Sequence, residues 1–244
     1  MMRSAVVPVA ILGACALATG ALLAQGPRIQ PMALEDRAGF EPIFDGTSLA
    51  GWEGDLAFWR AEGGLLIGET TAAKPLPANT FLIWTKGQPA DFELKLEFRI
   101  SAGNTGLQYR SQRAPDIGPY VLKGYQADID FANQWTGQLY EERGRTFMAL
   151  PGQATVSSGD QPRLFGTVTP ADALKAAINV GGWNTLHVIA RKELVVHAIN
   201  GKVSAVFLDG DAAHRPSAGF LGLQLHMGPP MKAEFRNIGL RTIQ

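Results

Sequence analysis

The chain has 244 residues, balances 22 Lys+Arg against 22 Asp+Glu, and is 46% hydrophobic with 18% charged residues. Balanced charge with no basic stripe argues against nucleic acid and anionic membrane surfaces as partners. So little charge, with 28 Gly and 15 Pro, argues against a helical bundle and for a turn-rich β protein with enough apolar material for a core.

Residues 1–24 differ from the rest. Arg3 is their one charge, and an Ala/Leu/Val run follows to Ala24. Pro8, Gly13, Thr19 and Gly20 interrupt that run, so it reads as an export signal peptide rather than a membrane span. Two processing routes fit: ordinary cleavage after Ala24, or a lipid anchor on Cys15, since Leu12-Gly13-Ala14-Cys15 is similar to a bacterial lipobox. Cys15 is the single cysteine, which leaves the folded part without disulfides. The expected location is the periplasm or cell surface. Residues 25–38, with Pro27 and Pro31, read as an extended linker, and residues 39–243 as one domain.

Within the domain, Phe58–Glu62 and Leu65–Glu69 form a predicted hairpin around Gly63-Gly64, and Thr80–Thr85 a further strand. Phe92 to Ile100 alternates without a fault: Phe92, Leu94, Leu96, Phe98 and Ile100 on one face, Glu93, Lys95, Glu97 and Arg99 on the other. After the turn residues Ser101–Asn104, Gly106 to Ser111 returns with Leu107 and Tyr109 on one side and Gln108 and Arg110 on the other. In Tyr125 to Asp130, Gln126, Asp128 and Asp130 oppose Tyr125, Ala127 and Ile129. Gln138 to Arg143 follows, and Gly144 to Thr169 reads as a long irregular loop. Thr169-Pro170 starts a short predicted helix, with Thr169 as N-cap and Gly181-Gly182 as the stop. Strands at Thr185–Arg191 and Leu194–Ile199 lead into Asn200-Gly201, the strongest hairpin signal in the chain. Phe220 to Met227 sets Leu221, Leu223 and Leu225 against Gln224 and His226, and Ala233 to Arg241 closes the domain. About a dozen short strands and one short helix predict an all-β, two-sheet, mainly antiparallel jelly-roll sandwich.

Five segments occur in order after an opening FxxIFDGxxLxGW: FELKLEFRISAGNTGLQYRS, GYQADID, TGQLYEERGR, GGWNTLHVIARKELVVHAING and GFLGLQLHMGPPMKAEFRNIGLR. Together they resemble the 3-keto-disaccharide hydrolase domain family, formerly a domain of unknown function, from about Phe40 to Arg241. The resemblance implies a concanavalin-like lectin/glucanase fold and cleavage of glycosides oxidised to a ketone at C3. Many members of that family carry Glu where this chain has Gln126.

A 3-keto sugar has an acidic C2 proton, so elimination of the C1 oxygen and readdition of water give net hydrolysis. Such chemistry needs a base, a stabiliser for the enolate oxygen and an acid for the leaving group. The candidate catalytic residues are Asp128, His226, Glu142 and Arg110. Asn104, Gln108, Gln126, Trp135, Tyr140, Gln224 and Lys232 are candidates for holding a saccharide. The plain alternative for Asp128 is a solvated sheet face, for His226 a hydrogen-bonded structural histidine, and for Arg110 a salt-bridge partner. His187 and His197 read as structural. No cofactor is required by the pattern; a divalent ion held by His226 with carboxylates is the one metal arrangement it suggests. A noncatalytic saccharide-binding module is the competing function on the same fold.

Overall fold

The apolar side of Phe92–Ile100 is buried along its whole length, with Phe92, Leu94 and Leu96 fully shielded from solvent. Around this strand the computed structural model describes residues 36–159 and 161–243. The predicted signal peptide at 1–24, Cys15 with its lipid anchor, and the linker up to residue 35 lie outside the described residues. The end of the linker, 36–38, is docked rather than free. Arg37 Nη1 donates to the Asn237 carbonyl at 2.6 Å, and Lys95 Nζ donates to the Asp36 carbonyl.

In chain order the strands are β1 (Glu41–Pro42), β2 (Trp52–Glu53), β3 (Trp59–Glu62), β4 (Leu65–Glu69), β5 (Thr80–Trp84), β6 (Phe92–Ile100), β7 (Asn104–Arg113), β8 (Leu122–Asp130), β9 (Leu139–Glu142), β10 (Thr146–Ala149), β11 (Gln153–Ser157), β12 (Arg163–Thr167), β13 (Asn184–Arg191), β14 (Leu194–Ile199), β15 (Lys202–Asp209), β16 (Phe220–Leu225) and β17 (Lys232–Thr242), with one helix, α1 (Ala171–Ala177), between β12 and β13. One sheet has ten strands in the order β12-β11-β15-β14-β13-β6-β17-β4-β3, with β1 also paired to β17. The other has seven, in the order β10-β9-β8-β7-β16-β5-β2. The pairing is antiparallel except between β11 and β15. This is the expected jelly-roll sandwich.

The apolar sides of the two sheets meet in a single large core, to which Trp59, Phe92, Leu96, Tyr109, Tyr125, Leu186, Phe207, Leu223 and Phe235 contribute. Register keeps like with like: Leu96 lies opposite Leu186, and Phe98 opposite Phe235. A small second cluster of Phe81, Ile83 and Leu122 sits on the other side of the seven-stranded sheet, against Phe220. At the β14–β15 hairpin, Asn200 and Gly201 adopt φ of 47° and 77°, the left-handed pair that a two-residue turn matching strand twist requires. On the outer side of the ten-stranded sheet the polar face of β6 pairs across strands: Glu97 with Arg236 at 2.8 Å and Arg99 with Glu234 at 2.5 Å are ion pairs, and Glu93 meets the His187 ring at 2.9 Å in a hydrogen bond, burial holding that imidazole toward its neutral form. His187 and His197 are structural; His197 is fully buried and meets the Tyr109 hydroxyl at 2.7 Å.

Two expectations change. Gly144–Thr169 is not irregular but carries β10, β11 and β12. Their sequences, TFMA, QATVS and RLFGT, do not alternate apolar with polar, and β11 takes its register from β15, with Gln153 opposite Ala205. The helix is capped by Pro170 without a side-chain hydrogen bond, not by Thr169, and it ends at Ala177, before the Gly181-Gly182 pair.

Candidate active site

The outer face of the seven-stranded sheet follows from alternation on strands whose other side is the core. Leu107, Tyr109, Tyr125, Ala127, Leu139 and Leu223 point inward. Their sequence neighbours therefore point outward. Register places Phe147, Tyr140, Gln126, Gln108 and Gly222 in one row across five adjacent strands. The next row is Gln138, Asp128, Gly106, Gln224 and Phe81. Four glutamines and an aspartate thus tile one floor, and all five are buried.

Asp128 is the centre of that floor. Gln126 Nε2 donates to its Oδ1 and Gln138 Nε2 to its Oδ2, each at 2.5 Å. Burial nevertheless dominates and pushes its carboxyl up to about 6, with the nearby Glu142 and Asp130 charges adding to the rise against the two amides. Gln126 also reaches Gln224 Oε1 at 3.3 Å, so its side chain spans from Asp128 to the next strand but one. It crosses above Gly106. A Cβ there would come within 2.7 Å of the Ala127 carbonyl and 2.9 Å of Gln126 Cγ, so only glycine leaves the path open.

The floor holds hydrogen-bonding capacity that the protein itself does not use. Gln108 Nε2 and Gln224 Nε2, both donors, and Gln126 Oε1 and Gln138 Oε1, both acceptors, are buried without a partner. Native interiors rarely leave such groups unpaired, because each costs roughly 1–3 kcal/mol. Four of them share one floor with a buried carboxylate, donors and acceptors together, as a hydroxyl or carbonyl partner would require.

Glu142 lies on the same outer face, two residues past Tyr140 and opposite Gly124. Partial burial raises its carboxyl; Arg143, 3.8 Å away, and His226 pull it back down. His226 follows the end of β16 at the rim of the floor, half-buried, with Nδ1 against the Met227 carbonyl. Tyr140 is half-buried, and burial followed by the Glu142 and Asp128 charges raises its hydroxyl. Its ring meets Phe147 edge-on at 5.2 Å, and Phe147 in turn meets Trp135 at 6.0 Å. Asn104 begins β7 on the floor side, opposite Asp130. Asp130 itself is spent on the following turn, accepting from the Gln134 and Trp135 N–H groups and from Thr136.

The structure brings Asp128, Glu142, Gln126, Gln108, Gln224, Tyr140 and His226 to this face and removes two expected members. Arg110 does not share the face of Gln108. A bulge between Tyr109 and Gln112 places Arg110 at φ 46° and turns its side chain inward. There, almost wholly buried, it donates to the Ala90 and Lys192 carbonyls at 2.8 Å and pairs with Asp91 at 3.1 Å. Lys232 begins β17 in the other sheet, 4.0 Å from Glu234. Gln138 was absent from the expected set, although its alternation with Tyr140 and Glu142 marks the same face. Among the described residues no three His, Cys, Asp or Glu side chains come together as a metal-binding group, so the ion expected between His226 and carboxylates has no donor set there.

The two sheets form a jelly-roll β-sandwich with a buried carboxylate on the polar outer floor of one of them. The chain belongs to the 3-keto-alpha-glucoside-1,2-lyase-like domain family, which it matches over residues 39–241. No curated protein matches it. Among solved structures it is similar to a candidate glycosyl hydrolase from Parabacteroides distasonis, at 20% identity over 85% of this chain and 95% of that one, with a TM-score of 0.56. A second candidate glycosyl hydrolase from the same organism gives 18% identity, 84% and 99% coverage and a TM-score of 0.57. A carbohydrate-binding module, CBM66, from Bacillus subtilis gives 16% identity, 81% and 98% coverage and a TM-score of 0.51. At these identities the likenesses show the fold.

Proposed function

We propose that this chain is an exported enzyme that cleaves 3-keto-glycosides by elimination and rehydration. The observation that supports it is the Asp128 carboxylate, poised at about 6 and held by two amides on a floor with unpaired donors. A base of that strength is mostly ionised at neutral pH and still basic enough to take an acidified proton. In this reading Asp128 removes the C2 proton, and the electron pair of that C–H bond moves into the C2–C3 bond as the ketone becomes an enolate. Gln108 Nε2 and Gln224 Nε2 donate to the enolate oxygen or its neighbouring hydroxyl. The enolate then expels the C1 oxygen, which takes a proton from Glu142, whose raised carboxyl suits an acid. His226, at the rim, lies near enough to Glu142 to lower its carboxyl. Water adds to C1, a proton returns to C2, and the net result is hydrolysis.

An oxocarbenium mechanism would never break the C2–H bond. The test is therefore cleavage of 3-keto-methyl-glucoside in D2O, with NMR of the released 3-keto-glucose. Deuterium at C2 is expected. Cleavage with C2 fully protonated sinks the elimination mechanism. Binding of the sugar without any cleavage turns the reading to a lectin-like module.

A further inference from the structure

The polar floor ends at an apolar groove. Past Tyr140, the row that contains Gln126 and Gln108 continues to Phe147 on the edge strand β10. Beyond it opens a mainly apolar groove of about 450 Å³ lined by Trp135, Phe147, Leu150, Pro162 and Leu164, with the exposed Gln161 among its polar members. Trp135, Phe147 and Leu164 are 41%, 50% and 59% exposed, an uncommon concentration of large apolar side chains on one rim.

We propose that this groove is the leaving-group subsite and that its occupant is an aromatic aglycone. The inference rests on the reading of the floor as the site of C1–O cleavage. Three observations carry it. The first is continuity. Phe147 stands two strand spacings from Gln126, roughly 10 Å along the row, about the reach of a group attached through the C1 oxygen of a sugar seated on the floor. The second is hydrogen bonding. A second sugar ring would bring several hydroxyls, yet no described residue lining the groove is charged. Its polar groups are partly spent as well: Thr155 Oγ1 donates to the Met148 carbonyl at 2.6 Å, and Gln153 Oε1 accepts from the Leu150 N–H at 3.1 Å. The third is shape. Trp135, Phe147 and Tyr140 form a run of tilted and edge-on rings that offers aromatic faces to a planar guest. The volume exceeds the ~150 Å³ that encloses benzene, so one or two fused rings fit.

The test separates this subsite from the chemistry. 2-Naphthol, a bare aromatic probe, is titrated by calorimetry into the full chain and into L164D and F147A, with circular dichroism and melting confirming that each is folded. Binding to the wild type with Kd at or below about 1 mM, which a ligand of this size permits, and at least tenfold weaker binding to L164D are expected. In parallel, kcat/KM is measured on 3-keto-phenyl-glucoside and 3-keto-methyl-glucoside. L164D is expected to lose about tenfold on the phenyl substrate and less than twofold on the methyl one; the ratio cancels the intrinsic leaving ability of phenol. Cleavage of the methyl substrate by a wild type that binds no naphthol overturns the subsite and spares the proposed reaction. Naphthol binding that L164D weakens, with no cleavage of either substrate, sinks the reaction and keeps the groove as an aromatic-binding site. Naphthol binding unchanged in both L164D and F147A places the aromatic site elsewhere. Absent naphthol binding together with an L164D loss confined to a 3-keto-disaccharide makes the occupant a sugar and overturns the aromatic assignment.

Discussion

Replacing Asp128 by Asn is expected to stabilise the protein above a defined pH while slowing the proposed reaction. In the folded chain the Asp128 carboxyl is raised from its ordinary 3.8 to about 6 by burial. A carboxyl raised on folding holds its proton longer in the native than in the unfolded state, so native stability falls as pH climbs between the two values and is level above them. A rise of about 2 units corresponds to ~3 kcal/mol of destabilisation at pH 7, an upper figure. The amide introduced by Asp128→Asn would carry no charge and escape this cost. Its new N–H₂ can be accommodated, because Gln138 Oε1 is unpartnered and the Gln138 amide can turn to accept from it. For a domain of this size, melting at pH 7–8 should rise on the order of 5–10 °C, and the difference should shrink toward zero near pH 4. Over the same range kcat/KM on a 3-keto-glycoside should fall by roughly 10²-fold or more, the scale of a lost general base. The assay is a set of melting curves from pH 4 to 8 for both proteins, with rates at pH 7.5. A melting difference that does not change with pH, or an Asn variant less stable at pH 8, would refute the buried, strained carboxylate on which the mechanism stands.

Other outcomes follow from the same packing. Leu96→Ala, at the centre of β6 opposite Leu186, should cost ~2–5 kcal/mol in urea unfolding, and a loss under about 0.5 kcal/mol would mean that its face is not core. Gly106→Ala should push Gln126 off Asp128 and Gln224; since that amide lowers the Asp128 carboxyl, the acid limb of the kcat/KM profile should move to higher pH, and an unmoved limb would show that Gln126 does not tune the base. Arg110→Met should destabilise by ~3 kcal/mol, because carbonyls of Ala90 and Lys192 lose their donor, while kcat/KM of the folded fraction stays within about threefold; a large specific loss of rate would return Arg110 to the reaction.

The sandwich was legible because its central strands alternate cleanly and its turns carry the residues their dihedral angles demand, as at Asn200-Gly201. Asp128, Gln126 and Gln224 were legible for the same reason: their apolar neighbours Ala127, Ile129 and Leu225 had to face the core. Arg110 was misplaced because period-two reasoning cannot see a bulge, and one extra residue between Tyr109 and Gln112 reverses a side chain. Lys232 failed differently. Alternation assigns a face but not a sheet, and β17 pairs with β6 rather than with β16. The β10–β12 region stayed hidden because its strands do not alternate and one of them owes its place to a parallel partner about fifty residues away, a contact that no local pattern records.

The pairing of β1 with β17 decides how the domain can be handled and displayed. Glu41 lies opposite Leu240, and Arg241 covers the Phe40 ring and reaches the Ala38 carbonyl, so both ends of the described chain lie against the ten-stranded sheet. The glutamine floor is on the far side of the other sheet. A support, reporter or fusion partner attached beyond residue 243 would hold the molecule through the ten-stranded sheet, away from the glutamine floor. The neighbouring ends also invite a circular permutant: a short Gly/Ser bridge from 243 to 36, with new ends cut at the exposed Gly63-Gly64 turn, would keep every strand pairing of the floor intact.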